Sequence, residues 1–237
     1  VLFPDSVLPT QHLEIFLRSI TRHVSSVTDL SKLSIPFAAI ATDLDTGEAV
    51  VMQKDVTLAD AMRSSMSVPG AFSPFPYKNH VLVDGGLAQN LPVEQAKAMG
   101  ADIIIAVNAG TPLGKSKDIH SVAGVMGQMI GILTERNVDH SKSLLTEKDI
   151  LITTDLTGFN AGDFQKAEAI IEAGEKSAKK YEPQLKRLAV SKKAFEQWNL
   201  ARQSAVQPPQ ARQVDSVQVQ GLEVVNPKSV IKSADLD

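Results

Sequence analysis

The chain has 237 residues and a mass of 25.5 kDa, enough for one large domain or two small ones. Hydrophobic residues make up 43% of it and charged residues 22%, a composition that excludes wholesale disorder. A formal net charge of −3 argues against the basic surface that nucleic acids require, so we expect no nucleic-acid partner. The absence of cysteine excludes disulfides and thiol nucleophiles, and no apolar run reaches the roughly 20 residues that span a bilayer.

The N-terminal third of the chain predicts a helix, a hairpin and a second helix. Apolar residues spaced three and four apart predict an amphipathic helix over Thr10–Val27. Residues 35–41 have the composition of a buried strand, and a tight turn then leads into a second strand at 49–52, which predicts the hairpin. Thr57 followed by Asp60 predicts a capping box that opens a short helix, and a proline-rich loop follows.

Asp84 is the best candidate for chemistry. A short strand runs into it, and the two glycines that follow, Gly85 and Gly86, predict a sharp turn with positive φ. A carboxylate at the C-terminal end of a buried strand stands where α/β folds place catalytic side chains. The alternative is an aspartate that only makes a turn, with its side chain bonded to local backbone.

Strands and helices alternate through the rest of the chain as far as Leu188, which predicts an α/β fold with a mainly parallel sheet. The strand at 102–107 is uninterrupted and apolar, so we expect it to be buried on both faces. The other predicted elements are a helix over 93–99 between Pro92 and Gly100, one or two helices over 119–145, a strand over 150–152, and a polar helical stretch over 163–188 with Phe164, Ala167, Ile170 and Ile171 facing inward.

We predict no metal or cofactor site. The five histidines are scattered and form no metal-binding pair. Residues 110–116 look like a phosphate-binding loop, but only three residues separate the glycines where four are needed, and Pro112 removes a backbone N–H.

The helix predicted over Ile119–Leu133 is apolar around more of its surface than one core contact requires. Within it, Gly127 and Gly131 have a spacing typical of close helix packing, either in the core or at a subunit interface. We expect this helix to pack against another subunit or to hold lipid. The apolar residues concerned are Val122, Val125, Met126, Met129, Ile130, Ile132 and Leu133.

Two longer blocks resemble a known family. Residues 61–74 read AMRSSMSVPGAFSP and residues 82–93 read LVDGGLAQNLPV, flanked by FAAIATDLDTG at 37–47 and by MGAD at 99–102. Together they resemble the patatin-like phospholipases, over roughly Ile35–Leu188. The resemblance implies a three-layer α/β/α fold with a mainly parallel central sheet, of which this chain is expected to lack the first βαβ region.

The resemblance also implies a lipid acyl hydrolase with a serine–aspartate dyad and no histidine. Asp84, in its DGG motif, matches the dyad aspartate, which would act as general base. The family's serine lies in a GxSxG elbow after a glycine-rich oxyanion loop, and this sequence has neither. Ser64, Ser65 and Ser73 belong to the loop block, so we expect the nucleophile on an upstream segment or on a second chain.

The tail suggests a boundary and a second resemblance. Residues 204–213 contain paired prolines and lack periodicity, which predicts a linker. Residues 214–226 read VDSVQVQGLEVVN and resemble the opening of a POTRA module, the periplasmic repeat that precedes outer-membrane barrels. The expected domains are therefore residues 1–203, the C-terminal portion of a patatin-like domain, and residues 214–237, an incomplete POTRA-like module.

This arrangement resembles the type Vd autotransporters, which export a patatin-like passenger from Gram-negative bacteria. The interpretation is a secreted or cell-surface phospholipase of A type that acts on phospholipid or lysophospholipid at a membrane, with a homodimer as a possible assembly. Two alternatives stay open, a non-catalytic lipid-associating or dimerising fragment and a cytosolic patatin-like esterase.

Overall fold

The computed structural model describes residues 10–159 and 162–204. The chain divides into two units, Val1–Val206 and Gln207–Asp237, and the second lies outside the described residues. The POTRA-like segment and all but the first residue of the predicted linker therefore also lie outside them.

The described residues alternate helices and strands, and the predicted α/β class is confirmed. The helices are α1 (Thr10–Ile20), α2 (Leu58–Ser65), α3 (Gly86–Gln89), α4 (Val93–Ala98), α5 (Val122–Ser143), α6 (Ala167–Lys179), α7 (Glu182–Lys186) and α8 (Lys192–Ser204). The strands are β1 (Ala39–Asp43), β2 (Ala49–Met52), β3 (Phe75–Tyr77), β4 (His80–Asp84), β5 (Ile105–Asn108) and β6 (Ile150–Thr153).

The strands form two sheets. A four-stranded sheet has the order β2-β1-β4-β3 and is antiparallel throughout, whereas β5 and β6 form a parallel pair. The prediction of a mainly parallel sheet is therefore wrong for the larger sheet. Both of its hairpins join consecutive strands by short turns, and short turns allow only antiparallel pairing. The parallel pair is joined through the long helix α5, which is the crossover that parallel strands need.

Local signals account for the elements around the site. The Thr57 side chain accepts a hydrogen bond from the N–H of Asp60 and donates one to its carboxylate, so the predicted capping box begins α2. Gly47, in the turn between β1 and β2, and Gly100, after α4, have φ of 74° and 87°, a conformation that favours glycine. These turns end their elements where the sequence predicts.

Two clusters of buried side chains form the core. The first lies between the four-stranded sheet and α2, and the second packs β5 against α4 and α5. The first consists of Leu30, Ala39, Ala41, Met52, Val56, Ala61 and Leu82, and the second of Leu91, Val93, Ile104, Ala106 and Val138.

The burial of β5 differs from the prediction. Ala106 and Asn108 are buried, but Ile105 and Val107 are 48% and 53% exposed, so one face of the strand is open in the described residues. The second core cluster covers only the Ala106 side, and alternate residues of a strand point to opposite faces. A continuous apolar run therefore does not imply burial on both faces here.

Three smaller expectations also differ. The first helix ends at Ile20, where Thr21 returns a hydroxyl hydrogen bond to Leu17 O, and does not reach Val27. In α6, Ala167 is exposed and Ile171 is 70% exposed, so neither faces inward, while Ile170 is half-buried. The side chain of Phe164 lies outside the described ones.

Candidate active site

Asp84 is the last residue of β4 and pairs with Ala41 of β1 in the middle of the four-stranded sheet. The chain then enters α3 directly, since Gly85 has φ −68° and ψ −20°, and the expectation of positive φ is wrong. The need for glycine is steric instead. A Cβ on Gly85 would lie 1.9 Å from Ile40 O. A Cβ on Gly86 would lie 2.9 Å from an oxygen of Asp84.

Backbone hydrogen bonds join this DGG turn to the loop after α2. The N–H of Asp84 donates to Ser67 O at 3.0 Å, and the N–H of Gly85 donates to Ser65 O at 3.2 Å. On the other side, the hydroxyl of Thr42 donates to Asp84 O at 2.8 Å. The two sequence blocks at 61–74 and 82–93 are thus brought together around Asp84.

The Asp84 carboxyl group is half-buried and has one donor among the described residues. Its Oδ1 accepts a hydrogen bond of 2.7 Å from the N–H of Gly86. Burial raises the pKa of Asp84 above its ordinary value, and the Gly86 hydrogen bond opposes that rise. The Oδ1 contact is the local one expected of a turn-forming aspartate, but it leaves the other oxygen available as a proton acceptor.

Asn137 of α5 supports the turn from the opposite side. Its Nδ2 donates to Gly86 O at 2.8 Å, and its Oδ1 accepts from the N–H of Asn90 at 2.8 Å. No motif in the sequence marks Asn137 as a functional residue. Asparagine is a poor helix former, so its place inside a long predicted helix is the one signal that the sequence contains.

Residues 2–97 match the family model of patatin-like phospholipase. This part of the chain is therefore similar to the patatin-like phospholipases. An uncharacterized NTE family protein of Mycobacterium tuberculosis is 34% identical over 98 residues, which cover 41% of this chain and 27% of the relative. Patatin-like phospholipase domain-containing protein 6 of Homo sapiens is 37% identical over 98 residues, covering 40% of this chain and 7% of the relative. The corresponding protein 7 of Mus musculus is 37% identical over 95 residues, covering 37% and 7%.

These similarities agree with the α/β patatin fold expected from the sequence. The matched region includes Asp84 and the whole four-stranded sheet. The chain spans about a quarter or less of the length of these relatives.

Arg63 organises the loop block of the patatin-like segment. Its guanidinium is buried and donates to the Ser67 hydroxyl at 2.6 Å and to Ser73 O at 2.9 Å, while its Nε lies 3.4 Å from Glu14. It also lies over the Phe72 ring, 5.9 Å from the centroid. Burial lowers the pKa of Arg63 and the Glu14 carboxylate opposes that shift. The loop that accepts the Asp84 N–H is therefore fixed by a buried cation.

The serines of this loop do not form a dyad with Asp84. The hydroxyl of Ser64 is buried and donates to Ala61 O, and that of Ser67 is engaged with Arg63. No serine hydroxyl of the described residues hydrogen-bonds to the Asp84 carboxyl group.

Metal ligands do not converge in the part of the chain that the structure describes. His80 Nδ1 lies 2.6 Å from the buried carboxylate of Asp43, a pair that joins β4 to β1.

A pocket of about 680 Å³ lies between α1, α2 and β3 and is lined by Arg18, Asp60 and Arg63 among others, but not by Asp84. Within residues 10–159 and 162–204, no helix has the length and hydropathy that a membrane crossing would need.

Proposed function

We propose that this chain is part of a lipid acyl hydrolase of phospholipase A type, in which Asp84 is the proton-transferring member of a serine–aspartate dyad. The observation that carries the proposal is the Asp84 carboxyl group, half-buried at the end of β4, with one oxygen bonded to Gly86 and the other without a donor among the described residues. The proposed substrate is a phospholipid or lysophospholipid at a membrane surface. The patatin-like match over residues 2–97 supports the substrate class.

The reaction needs a serine, which we propose lies on a segment upstream of Val1 or on a second chain. The serine oxygen attacks the ester carbonyl carbon, and its proton passes to the Asp84 carboxylate. The protonated Asp84 returns the proton to the leaving alcohol as the acyl–enzyme forms. Asp84 then takes a proton from the water that attacks the acyl–enzyme, and it returns this proton to the serine oxygen as the fatty acid leaves. Burial favours this cycle because it raises the pKa of the Asp84 carboxyl group toward neutral pH, where a general base works best.

The test is Asp84→Asn in the full-length protein. Asparagine keeps the size and the Gly86 contact but cannot accept the serine proton, so we expect turnover of a soluble p-nitrophenyl ester to fall by at least about 100-fold. A melting curve on the same preparation checks that the variant is folded. Near-normal turnover would show that Asp84 is only a turn residue.

The position of the serine is tested in the gene. We expect a glycine-rich loop followed by GxSxG within the segment that precedes residue 1. If that segment and any partner chain lack such a serine, the proposed enzyme is wrong.

A non-catalytic lipid-associating or dimerising role is the second candidate, and one observation favours it. Met126 and Met129 of α5 are 50% and 60% exposed, although the helix lies next to the DGG turn. A full-length protein that binds vesicles but hydrolyses no ester would support this role instead.

Export through an outer-membrane barrel is a further part of the proposal, and the POTRA-like sequence at 214–226 is its support. The cytosolic esterase is the alternative location. Protease treatment of intact cells, followed by immunodetection of the protein, distinguishes a surface passenger from a cytosolic enzyme.

A further inference from the structure

The N-terminal half of α5 has an apolar side that faces away from the core. The residues on that side recur at spacings of three and four, which places them on one face of the helix. We call this set the α5 apolar face. Its members, 40% to 80% exposed, are Val122, Val125, Met126, Met129, Ile132 and Leu133.

Charge is absent from this part of the helix. Residues 119–134 contain no aspartate, glutamate, lysine or arginine. The core contact of α5 is made elsewhere, because Val138 is fully buried and Ile130 is half-buried. A contiguous exposed apolar surface of this kind marks an interaction site.

A neighbouring loop is fixed against the helix. The Gln128 amide donates to Gly114 O and accepts from Gly114 N, both at 3.0 Å. One turn further on, Gly131 leaves room for Leu113, since a Cβ there would lie 2.9 Å from Leu113 Cδ2. Leu113 is itself 44% exposed.

The same loop carries positive charge beside the N-terminal half of α5. Lys115 follows Gly114 directly, Lys117 lies two residues further on, and both are exposed. One acidic residue, Asp118, lies between them and the helix. An apolar helical face with lysines close by is the pattern of a helix that lies in the interface of an anionic membrane.

The far end of the helix reaches the candidate active site. Asn137, which bonds to Gly86 O, stands eight residues after Met129, about 12 Å along a helix. A membrane at the α5 apolar face would therefore lie close to Asp84.

We propose that the α5 apolar face, with Lys115 and Lys117, docks the protein onto an anionic lipid surface. The proposal rests on the proposed lipid hydrolase and adds where its substrate surface binds. A second copy of the chain is the rival occupant of this face.

The test uses the full-length protein and sedimentation with vesicles, either pure phosphatidylcholine or phosphatidylcholine with 30% phosphatidylglycerol. We expect binding to the anionic vesicles, at least about 10-fold weaker binding for the double variant Met126→Glu with Met129→Glu, and partial loss for Lys115→Gln with Lys117→Gln. The matched control, Ile171→Glu with Leu200→Glu, changes two exposed apolar residues outside the face and should bind as the wild type does. Unchanged binding of the methionine variant would overturn the proposal.

Two further measurements separate this proposal from its rivals. In the first, light scattering compares the masses of the wild type and the methionine variant. A wild type that is a dimer and a variant that is a monomer, with unchanged vesicle binding, would assign the face to a second copy and overturn docking. The methionine variant should also hydrolyse a soluble ester normally but vesicle lipid poorly, whereas Asp84→Asn should bind vesicles and hydrolyse neither. Vesicle binding by a wild type without esterase activity would leave docking in place and contradict the proposed enzyme.

Discussion

Two buried or half-buried aspartates on adjacent strands have pKa values shifted in opposite directions. Burial raises the pKa of Asp84, and a single backbone donor opposes it. The pKa of Asp43 is lowered, first by the N–H of Asp45 and then by the hydrogen bond with His80. The difference follows from the number of donors that each carboxylate receives.

These shifts predict opposite pH dependences of stability. The raised pKa of Asp84 means that its protonated form stabilises the fold below the ordinary value of 3.8, and this stabilisation is lost as pH rises through the folded-state pKa. Asp84→Asn should therefore gain thermal stability relative to wild type between about pH 4 and neutral pH. Asp43 has a lowered pKa, so its contribution is present above 3.8 and is lost as pH falls through the lowered value.

Melting temperatures of wild type, Asp84→Asn and Asp43→Asn from about pH 2 to neutral pH check both signs. Asp43→Asn should be less stable than wild type at neutral pH and should approach it in acid. If the two variants changed with pH in the same direction, the assigned environments of the carboxylates would be wrong.

Gly85 is the position where the backbone itself limits substitution. Gly85→Ala would place a methyl group 1.9 Å from Ile40 O, a backbone atom of β1, so the sheet or the turn must shift. We expect a loss of about 3 kcal/mol or more in the free energy of unfolding, the range of severe backbone or packing disruption. Chemical denaturation measures it.

The control is Gly174→Ala in α6, where an added Cβ meets nothing within 4 Å. That change should stabilise the protein by about 0.5–1 kcal/mol, because alanine is the better helix former. Equal effects of the two substitutions would contradict the steric account of the DGG turn.

At the scale of elements, the exposed side of β5 requires explanation. Parallel strands are nearly always covered on both faces, and a two-stranded sheet is marginal by itself. Ile103, Ile105 and Val107 are nevertheless 42% to 53% exposed in the described residues. We therefore expect a segment outside those residues to cover them in the full-length protein.

Ile105→Ser together with Val107→Ser should then lower the free energy of unfolding of the full-length protein by about 2 kcal/mol or more, since covered apolar side chains would be lost. The matched control is Ile171→Ser on α6, which is 70% exposed and should have little effect. Chemical denaturation of the three proteins decides the matter. A double variant as stable as the control would mean that this face stays open to solvent.

The elements that the sequence predicts well are those with local signals. Thr57 with Asp60 gives the start of α2, Gly47 gives the first hairpin, and Gly100 gives the end of α4. Pro76 belongs to the sequence that predicts a proline-rich loop, yet it lies in β3, because β3 is at the sheet edge and an edge strand tolerates proline. Two features depend on tertiary contacts, which the hydrophobic periodicity of the sequence does not encode. They are the direction of the strands in the four-stranded sheet and the burial of each face of β5.

For the candidate site, the sequence identifies the carboxylate but not its support. Asp84 is marked by its place after a strand and by the DGG block. Asn137 lies 53 positions later and has no motif of its own, so only the folded chain brings its amide to the turn. Likewise, the role of Gly85 depends on how near β1 passes, a distance that no local pattern contains.

At the scale of the whole molecule, one helix connects features that the sequence keeps apart. α5 is the crossover between β5 and β6, contributes Val138 to the core, and carries Asn137 to the DGG turn. Its N-terminal half carries the α5 apolar face. Packing, the candidate site and the proposed docking surface therefore share one rigid element.

The position of the apolar face along α5 then sets a lateral distance. If that face lies in the plane of the lipid headgroups, the stretch of helix from there to Asn137 fixes how far along the membrane surface the Asp84 carboxyl group stands. Inserting residues into the exposed part of the helix would shift or turn that carboxyl group relative to the bound lipid without touching its hydrogen bonds. Hydrolysis of membrane lipid would then vary with the length of the helix, while hydrolysis of a freely diffusing ester would not.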